Sequence, residues 1–208
     1  MTDPTGFGVI FEGSGRIQLL DLSCGQCHAC ASGRTVWCLQ PLTEGPPLMG
    51  LDVVADADTI TRWFSLLGAF ADSARKADDV VLVLSESDPA DVKALVHLWH
   101  SGVVHVSPDG RDTETRAALR ADSRTGRAQV VLALKDARSA VKSVQRGGTV
   151  CLPAADVDAP TITELVQRDV RLVGPSDITS IAKGIEVSDL TRHLSAVLDQ
   201  SRHPGVHA

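Results

Sequence analysis

Four of the chain's five cysteines fall in one stretch, Cys24-Gly-Gln-Cys27-His-Ala-Cys30-Ala-Ser-Gly33-Arg-Thr-Val-Trp-Cys38. This spacing constrains the fold more than any other feature. Zn²⁺ prefers four soft ligands in a tetrahedron, and closely spaced cysteines wrap a short loop around one ion. Gly25 and Gly33 allow the bends such a wrap requires. The competing reading is a disulfide pair or a chance cluster. Disulfides need an oxidising compartment, and no signal peptide is visible. Zinc held by Cys24, Cys27, Cys30 and Cys38 in a cytoplasmic protein is therefore the expectation. Four thiolates leave no coordination position open, so the motif argues for a folded lobe and not for chemistry. His28, inside the lobe, is expected at the surface or behind the ligands.

The chain's 208 residues suffice for a real core. A formal charge of −6 argues against nucleic-acid or anionic-membrane partners. No apolar run approaches the roughly 20 residues that span a bilayer. The fifth cysteine, Cys151, lies in an apolar run and reads as a buried, inert thiol.

Residues 8–12 and 16–22 read as a strand pair around a Gly13-Ser-Gly15 turn. Residues 39–50 read as a Pro/Gly-rich connector, and 51–55 as a short strand. Helical apolar spacing begins at Asp58, with Asp56 or Asp58 as N-cap and Trp63, Phe64, Leu66, Leu67 and Phe70 as core. From Asp79 strands and helices alternate. Strands are expected at 80–84, 103–106, 129–133, 149–152 and 170–173, and helices at 89–99, 111–122 and 137–145, the last closed by Gly147-Gly148. A C-terminal helix is expected over 188–200 with Ser188 as N-cap. Alternation with short links implies a parallel sheet with helices on both faces.

The cysteine stretch resembles the structural-zinc lobe of the medium-chain, zinc-containing alcohol dehydrogenases. That family writes Cys-Gly-x-Cys-x-x-Cys-x-x-Gly-x-x-x-x-Cys, and Cys24, Gly25, Cys27, Cys30, Gly33 and Cys38 all fit. The element order resembles the nucleotide domain of the same enzymes. The resemblance implies an α/β fold: a reduced Rossmann-like parallel sheet plus a small N-terminal four-cysteine zinc lobe from a truncated substrate domain. The implied parts are a substrate-domain remnant at 1–50 with the lobe at 24–38, a connector and helix at 51–78, and a degenerate Rossmann-like domain at 79–208. In the family a Gly-His-Glu element before such a strand supplies a catalytic-zinc ligand. Here Thr5-Gly6-Phe7-Gly8 stands in that place without His or Glu. The family's earlier Cys ligand would lie upstream of residue 1.

A dinucleotide site needs glycines after the first parallel strand, so that pyrophosphate can approach the backbone and the helix N-terminus. After Leu84 the chain reads Ser85-Glu86-Ser87-Asp88-Pro89-Ala90-Asp91, without glycine and with three carboxylates. NAD(P) binding is therefore not expected. Asp109 stands near the place of a ribose-binding acid, but Pro108-Asp109-Gly110 also spells a turn, the favoured reading. His97, His100 and His105 form a weak metal candidate, against a packed or solvated role. Ser85, Ser87 and Ser107 sit at strand ends without an evident base.

The resemblance also implies that residues 159–165 pair with their own copy or with a related dehydrogenase, giving a homodimer or heterodimer. The leading expectation is a non-catalytic pseudoenzyme acting as scaffold or partner subunit. The alternatives are an enzyme with a remodelled cleft, using Glu86, Asp88, Asp91 or His105 as acid or base in a non-redox reaction, and a residual NAD(P)-dependent zinc alcohol dehydrogenase.

Overall fold

A computed structural model describes residues 6–12, 16–134, 137–152, 160–174 and 178–201. Thr5, the Gly13-Ser-Gly15 turn and Ala159 lie outside the described residues. The chain opens with two antiparallel strands, β1 (Phe7–Phe11) and β2 (Ile17–Asp21). The cysteine lobe follows, containing α1 (His28–Ala31) and a single 3-10 turn over Thr35–Trp37. β3 (Pro47–Leu51) then pairs with β2, giving a three-stranded antiparallel sheet in the order β1-β2-β3. The connector read at 39–50 is thus part strand, and the strand read at 51–55 is displaced towards the N-terminus. Pro47 lacks an N–H, and it is accommodated because β3 is an edge strand with Pro at its first residue. Met49 and Leu51 alternate inward into the core.

α2 (Ala57–Arg75) begins at Asp56, whose carboxylate accepts from the Thr59 backbone N–H at 2.9 Å. Every residue from Phe64 to Ala71 is buried. A helix buried on all sides is enclosed by the protein and does not lie on its surface. α2 packs against β1 on one side and against the second sheet on the other.

The second sheet is parallel. It is built by β4 (Val81–Leu84), β5 (Val104–Ser107), β6 (Ala128–Ala133), β7 (Val144–Cys151) and β8 (Arg171–Val173), in the order β5-β4-β6-β7-β8. Successive side chains of a strand point to opposite faces. Val81 and Val83 join the core containing α2, α3 (Pro89–Val96) and α8 (Val187–Ser201). Leu82 and Leu84 join the opposite core, with Leu119 of α4 (Thr113–Asp122) and Ala140 and Val141 of α5 (Ala137–Ser143). Helices therefore cover both faces of the parallel sheet, as its near-continuous apolar strands require. α6 (Ile162–Arg168) and the short α7 (Thr179–Ala182) complete the fold. α7 buries Ile181, and its carbonyl accepts from Trp99 Nε1 at 3.3 Å.

Several elements differ from the sequence reading, for local reasons. The helix read at 137–145 stops at Ser143, and β7 starts at once. Gly147 and Gly148 do not close the helix. They lie in β7, where the register jumps from Ala128↔Val144 to Val130↔Thr149. Gly147 has φ 74°, which suits the irregularity and is costly for other residues. Residues 162–168 are helical, so the segment 159–165, for which the resemblance implies pairing with a partner, turns into a helix from Ile162 onward. A capping box explains this. Glu164 N–H donates to Thr161 Oγ1 at 3.2 Å, and Thr161 N–H donates to Glu164 Oε2 at 2.9 Å. α3 ends at Val96, three residues early, and continues as tighter turns through Trp99. Ser188 lies inside the first turn of α8. The Glu186 carbonyl accepts from Asp189 and Leu190 there.

α4 provides a test of these local causes. Asp112 caps it, accepting from Thr115 N–H at 2.6 Å and from the Ser107 hydroxyl at 2.7 Å. Burial pushes the Asp112 carboxyl up. The hydrogen bonds from Thr115 and Ser107 outweigh this and hold it below its ordinary value. A depressed folded value contributes stability above the unfolded pKa, lost as pH falls through the folded one. Asp112→Ala should cost about 1 kcal/mol at neutral pH. In denaturant melts the gap to the unsubstituted protein should shrink below roughly pH 4. A gap that is constant with pH would count against this assignment.

Candidate metal centre and the mouth of the parallel sheet

The lobe is shaped by two glycines. Gly25 and Gly33 have φ 69° and 73°, the left-handed region the wrap demands. α1 carries Cys27 at its N-cap and Cys30 one turn later, and the 3-10 turn ends on Cys38. Backbone bonds close the lobe: Gly33 N–H to Cys30 O, Arg34 N–H to Ala29 O, and Cys38 N–H to Thr35 O. It is tied to the antiparallel sheet through Gly6 N–H to Val36 O at 3.0 Å, and Val36 is buried in the main core. A Cβ on Gly6 would lie 1.7 Å from the Thr35 carbonyl oxygen, so only glycine permits this approach.

The four sulfurs lie within 4.8 Å of one another. Cys27 and Cys30 are 3.5 Å apart, Cys24 and Cys30 3.9 Å, and Cys27 and Cys38 4.0 Å. Ligands at about 2.3 Å from a shared tetrahedral centre stand about 3.8 Å apart, so the cluster has the size of a zinc–tetrathiolate site. A disulfide would bring two sulfurs to about 2.0 Å, and all five cysteines are free. Hydrogen bonds from the backbone N–H groups of Cys30 and Leu39 bring Cys27 down to about 6. Bonds from Gln26 and Cys27 lower Cys24, while burial and the neighbouring Cys27 thiol push Cys30 up to about 12. Backbone N–H groups aimed at sulfur favour the thiolate, which is the ligand form. His28 is exposed, with its backbone carbonyl accepting from Ser32 Oγ at 2.7 Å. Cys151 is fully buried, and burial pushes it up to about 12, as befits an inert core thiol.

The strand order of the parallel sheet reverses at β4, since β5 lies on one side of it and β6 on the other. Ligands of open α/β sheets bind at such a switch point, beyond the strands' C-terminal ends. That mouth is occupied here by Ser85 to Asp88. Ser85 is buried, its N–H donates to the Ser107 carbonyl, and its hydroxyl accepts from Ser87 N–H at 3.1 Å. Asp88 caps α3, accepting from Ala90 N–H at 2.7 Å, with Pro89 in the first turn. Glu86 and Asp88 are exposed. Each would repel a phosphate charge about 5 Å away by about 1 kcal/mol even in water.

The remaining candidates disperse. Asp109 Oδ1 accepts from Arg111 N–H at 2.8 Å and Gly110 has φ 66°, so Pro108-Asp109-Gly110 is a turn. His97 Nδ1 bonds the His100 carbonyl at 2.9 Å, while His105 Nε2 donates to Asp122 at 2.9 Å. His100 is buried, which holds its pKa below the ordinary value. Among the described residues, the four cysteines are the one group of three or more His, Cys, Asp or Glu within metal-binding reach. A basic cleft between α4 and α5 has no counterpart among the expected sites. Its only sequence signal is Arg116 and Arg120, which share a helix face at i, i+4.

No protein-family model and no curated protein sequence matches the chain. Solved structures do. Zinc-dependent alcohol dehydrogenase 2 from Streptococcus pneumonia superposes with a TM-score of 0.51 and 12% identity, over 96% of this chain and 79% of that one. An alcohol dehydrogenase from Thermotoga maritima gives 0.50 and 17%, over 92% and 72%. L-idonate 5-dehydrogenase from Escherichia coli gives 0.45 and 15%, over 89% and 65%. This chain thus spans about two thirds to four fifths of the length of these neighbours. The fold is that of the zinc-dependent medium-chain alcohol dehydrogenases, and the four cysteines gather in the N-terminal lobe in a group that could hold a metal ion.

The metal assignment makes a labelling prediction. Elemental analysis should give one zinc per chain, lost when Cys30 is replaced by Ser. With zinc bound, a small alkylating reagent should modify no cysteine quickly. After chelation, mass spectrometry should find Cys27 modified first and Cys151 untouched until the protein unfolds. Rapid labelling of all four lobe cysteines in the zinc-loaded protein would contradict the centre.

Proposed function

We propose that the chain is a non-catalytic, zinc-stabilised relative of the medium-chain alcohol dehydrogenases that serves as a scaffold or partner subunit. The observation that carries this is the occupied end of α3. The N–H of Ala90 that would face a pyrophosphate is already taken by Asp88. Pro89 has no N–H to offer, and no glycine brings the backbone forward. The carboxylates Asp88 and Asp91 suit an empty helix end, because they complement its dipole. The zinc role is structural in this reading. Four thiolates fill the metal's preferred number, and binding free energy contributes to folding of the lobe.

The proposed partner surface lies at the sheet's edge. β8 ends the strand order, and α6, which precedes it in the chain, exposes Ile162 at 80% and Val166 at 72%, one turn apart. Exposed apolar groups and a terminal strand unpaired on one side among the described residues suit a second copy or a related subunit. No described helix is long and apolar enough to cross a membrane.

NADH titrated to about millimolar concentration should leave the amide signals of Ser85 to Asp88 unmoved, well beyond the usual range for a working cofactor site. Saturable micromolar shifts at those amides would overturn the non-catalytic reading. Sedimentation at tens of micromolar should show a dimer that Ile162→Glu with Val166→Glu converts to monomer. A monomer throughout would remove the homodimer.

A further inference from the structure

The chain carries a formal charge of −6, yet one cleft gathers six cations. Arg111, Arg116, Arg120, Arg127, Lys142 and Arg168 line a cavity of about 480 Å³, and no carboxylate lines it. The cleft lies between α4 and α5, from the loop after β5 to the residues leading into β6. Gly110 and Arg111 follow the C-terminal end of β5 and Thr125 to Arg127 precede the N-terminal end of β6, so the cleft runs along the α4/α5 side and does not include the Ser85–Asp88 loop at the switch point.

Two of the guanidinium groups are anchored. Arg127 and Arg168 both donate to the Lys142 carbonyl at the end of α5, Arg168 at 3.4 Å. Each guanidinium has five N–H groups, so such anchoring fixes the side chain and leaves donors free for a ligand. Lys142 has a distant ion pair with Glu164 at 3.9 Å. Among the described residues, Arg111, Arg116, Arg120 and Arg127 have no carboxylate within ion-pair distance. Burial, together with repulsion from Arg168 and Arg116, lowers the Arg127 pKa, as like charges crowd one another here. Capping α5 accounts for Arg127 and Arg168 only. It does not account for Arg111, Arg116 and Arg120, which come from a different element and converge on the same space.

We infer that the α4/α5 cleft binds a small polyanion carrying two or more phosphate groups. Planar guanidinium forks match phosphate oxygens in pairs, and several of them around one concave space favour a chain of phosphates over a single anion. No aromatic side chain lines the cleft, so recognition rests on the phosphate chain. The volume falls within the range of small-ligand pockets.

Calorimetry with inorganic tripolyphosphate on the zinc-loaded full chain tests this. Saturable 1:1 binding is expected, weakening as salt rises because each neutralised phosphate displaces a counter-ion. The double substitution Arg116→Gln with Arg120→Gln should weaken it at least about tenfold, with an unchanged melting temperature in the absence of ligand. Arg192→Gln, a cation on α8 outside the cleft, should change nothing. ATP binding as tightly as tripolyphosphate supports a site for the phosphate chain whatever its source. A tenfold preference for ATP supports the same cleft with the nucleotide as the natural carrier. The inference is overturned if tripolyphosphate does not saturate, if the double substitution leaves binding intact, or if a duplex oligonucleotide binds more tightly than either small ligand.

Discussion

The enclosure of α2 is the constraint on which the fold depends. Eight consecutive residues, Phe64 to Ala71, are buried, because the helix is wedged between the antiparallel sheet and one face of the parallel sheet. One apolar cluster therefore runs from Phe7 and Leu19 of the first sheet through Phe64 and Phe70 to Val81, Val130 and Leu198. Each large side chain fully removed from water contributes about 1.5–3 kcal/mol before the entropy of ordering is subtracted. The lobe reaches this cluster through Val36 alone. Its own small interior has little apolar content, which is why the proposed function gives metal ligation the role of stabilising it. In the proposed reading zinc would hold the lobe, while α2 holds the rest of the fold together.

This division explains what could be read from the sequence and what could not. The thiolate spacing, the Asp56 cap and the apolar runs of β4 and β6 were legible because each is local, with cause and consequence a few residues apart. The two-sided burial of α2 was only half legible. Its apolar spacing predicts a helix, but not that both flanks find partners. β3 was misplaced because Pro47 reads as a breaker unless one knows that it sits at an edge. Gly147-Gly148 reads as a helix stop, whereas the register shift it permits depends on the neighbouring strand, far away in sequence. The capping box at Thr161 and Glu164 was legible in principle, and it accounts for a helix within the segment to which the resemblance assigned pairing.

The basic cleft was the least legible feature, because its cations are drawn from residues 111–168 and only Arg116 and Arg120 keep a helical spacing. Average charge also misleads here. A net charge of −6 describes the whole surface at distances beyond the Debye length, about 8–10 Å, and says little about a concave site smaller than that. The expectation against extended polyanions drawn from net charge concerns a broad surface and does not reach a local pocket.

The two charged regions follow from one rule applied to opposite helix ends. A helix N-terminus favours an anion and a C-terminus a cation. At α3 the anion is the chain's own Asp88, close in sequence, and it consumes the very donor a phosphate would need. At α5 the cations are Arg127 and Arg168, converging on the Lys142 carbonyl. A carboxylate used as a cap adds negative charge where a phosphate would sit, whereas an arginine used as a cap still presents unspent N–H donors. On the two proposals made above, local neutralisation of the helix dipole would close the switch point to phosphate and equip the α4/α5 cleft for it. The fold keeps an open parallel sheet with a strand-order reversal at β4, while its cluster of cations lies against α4 and α5.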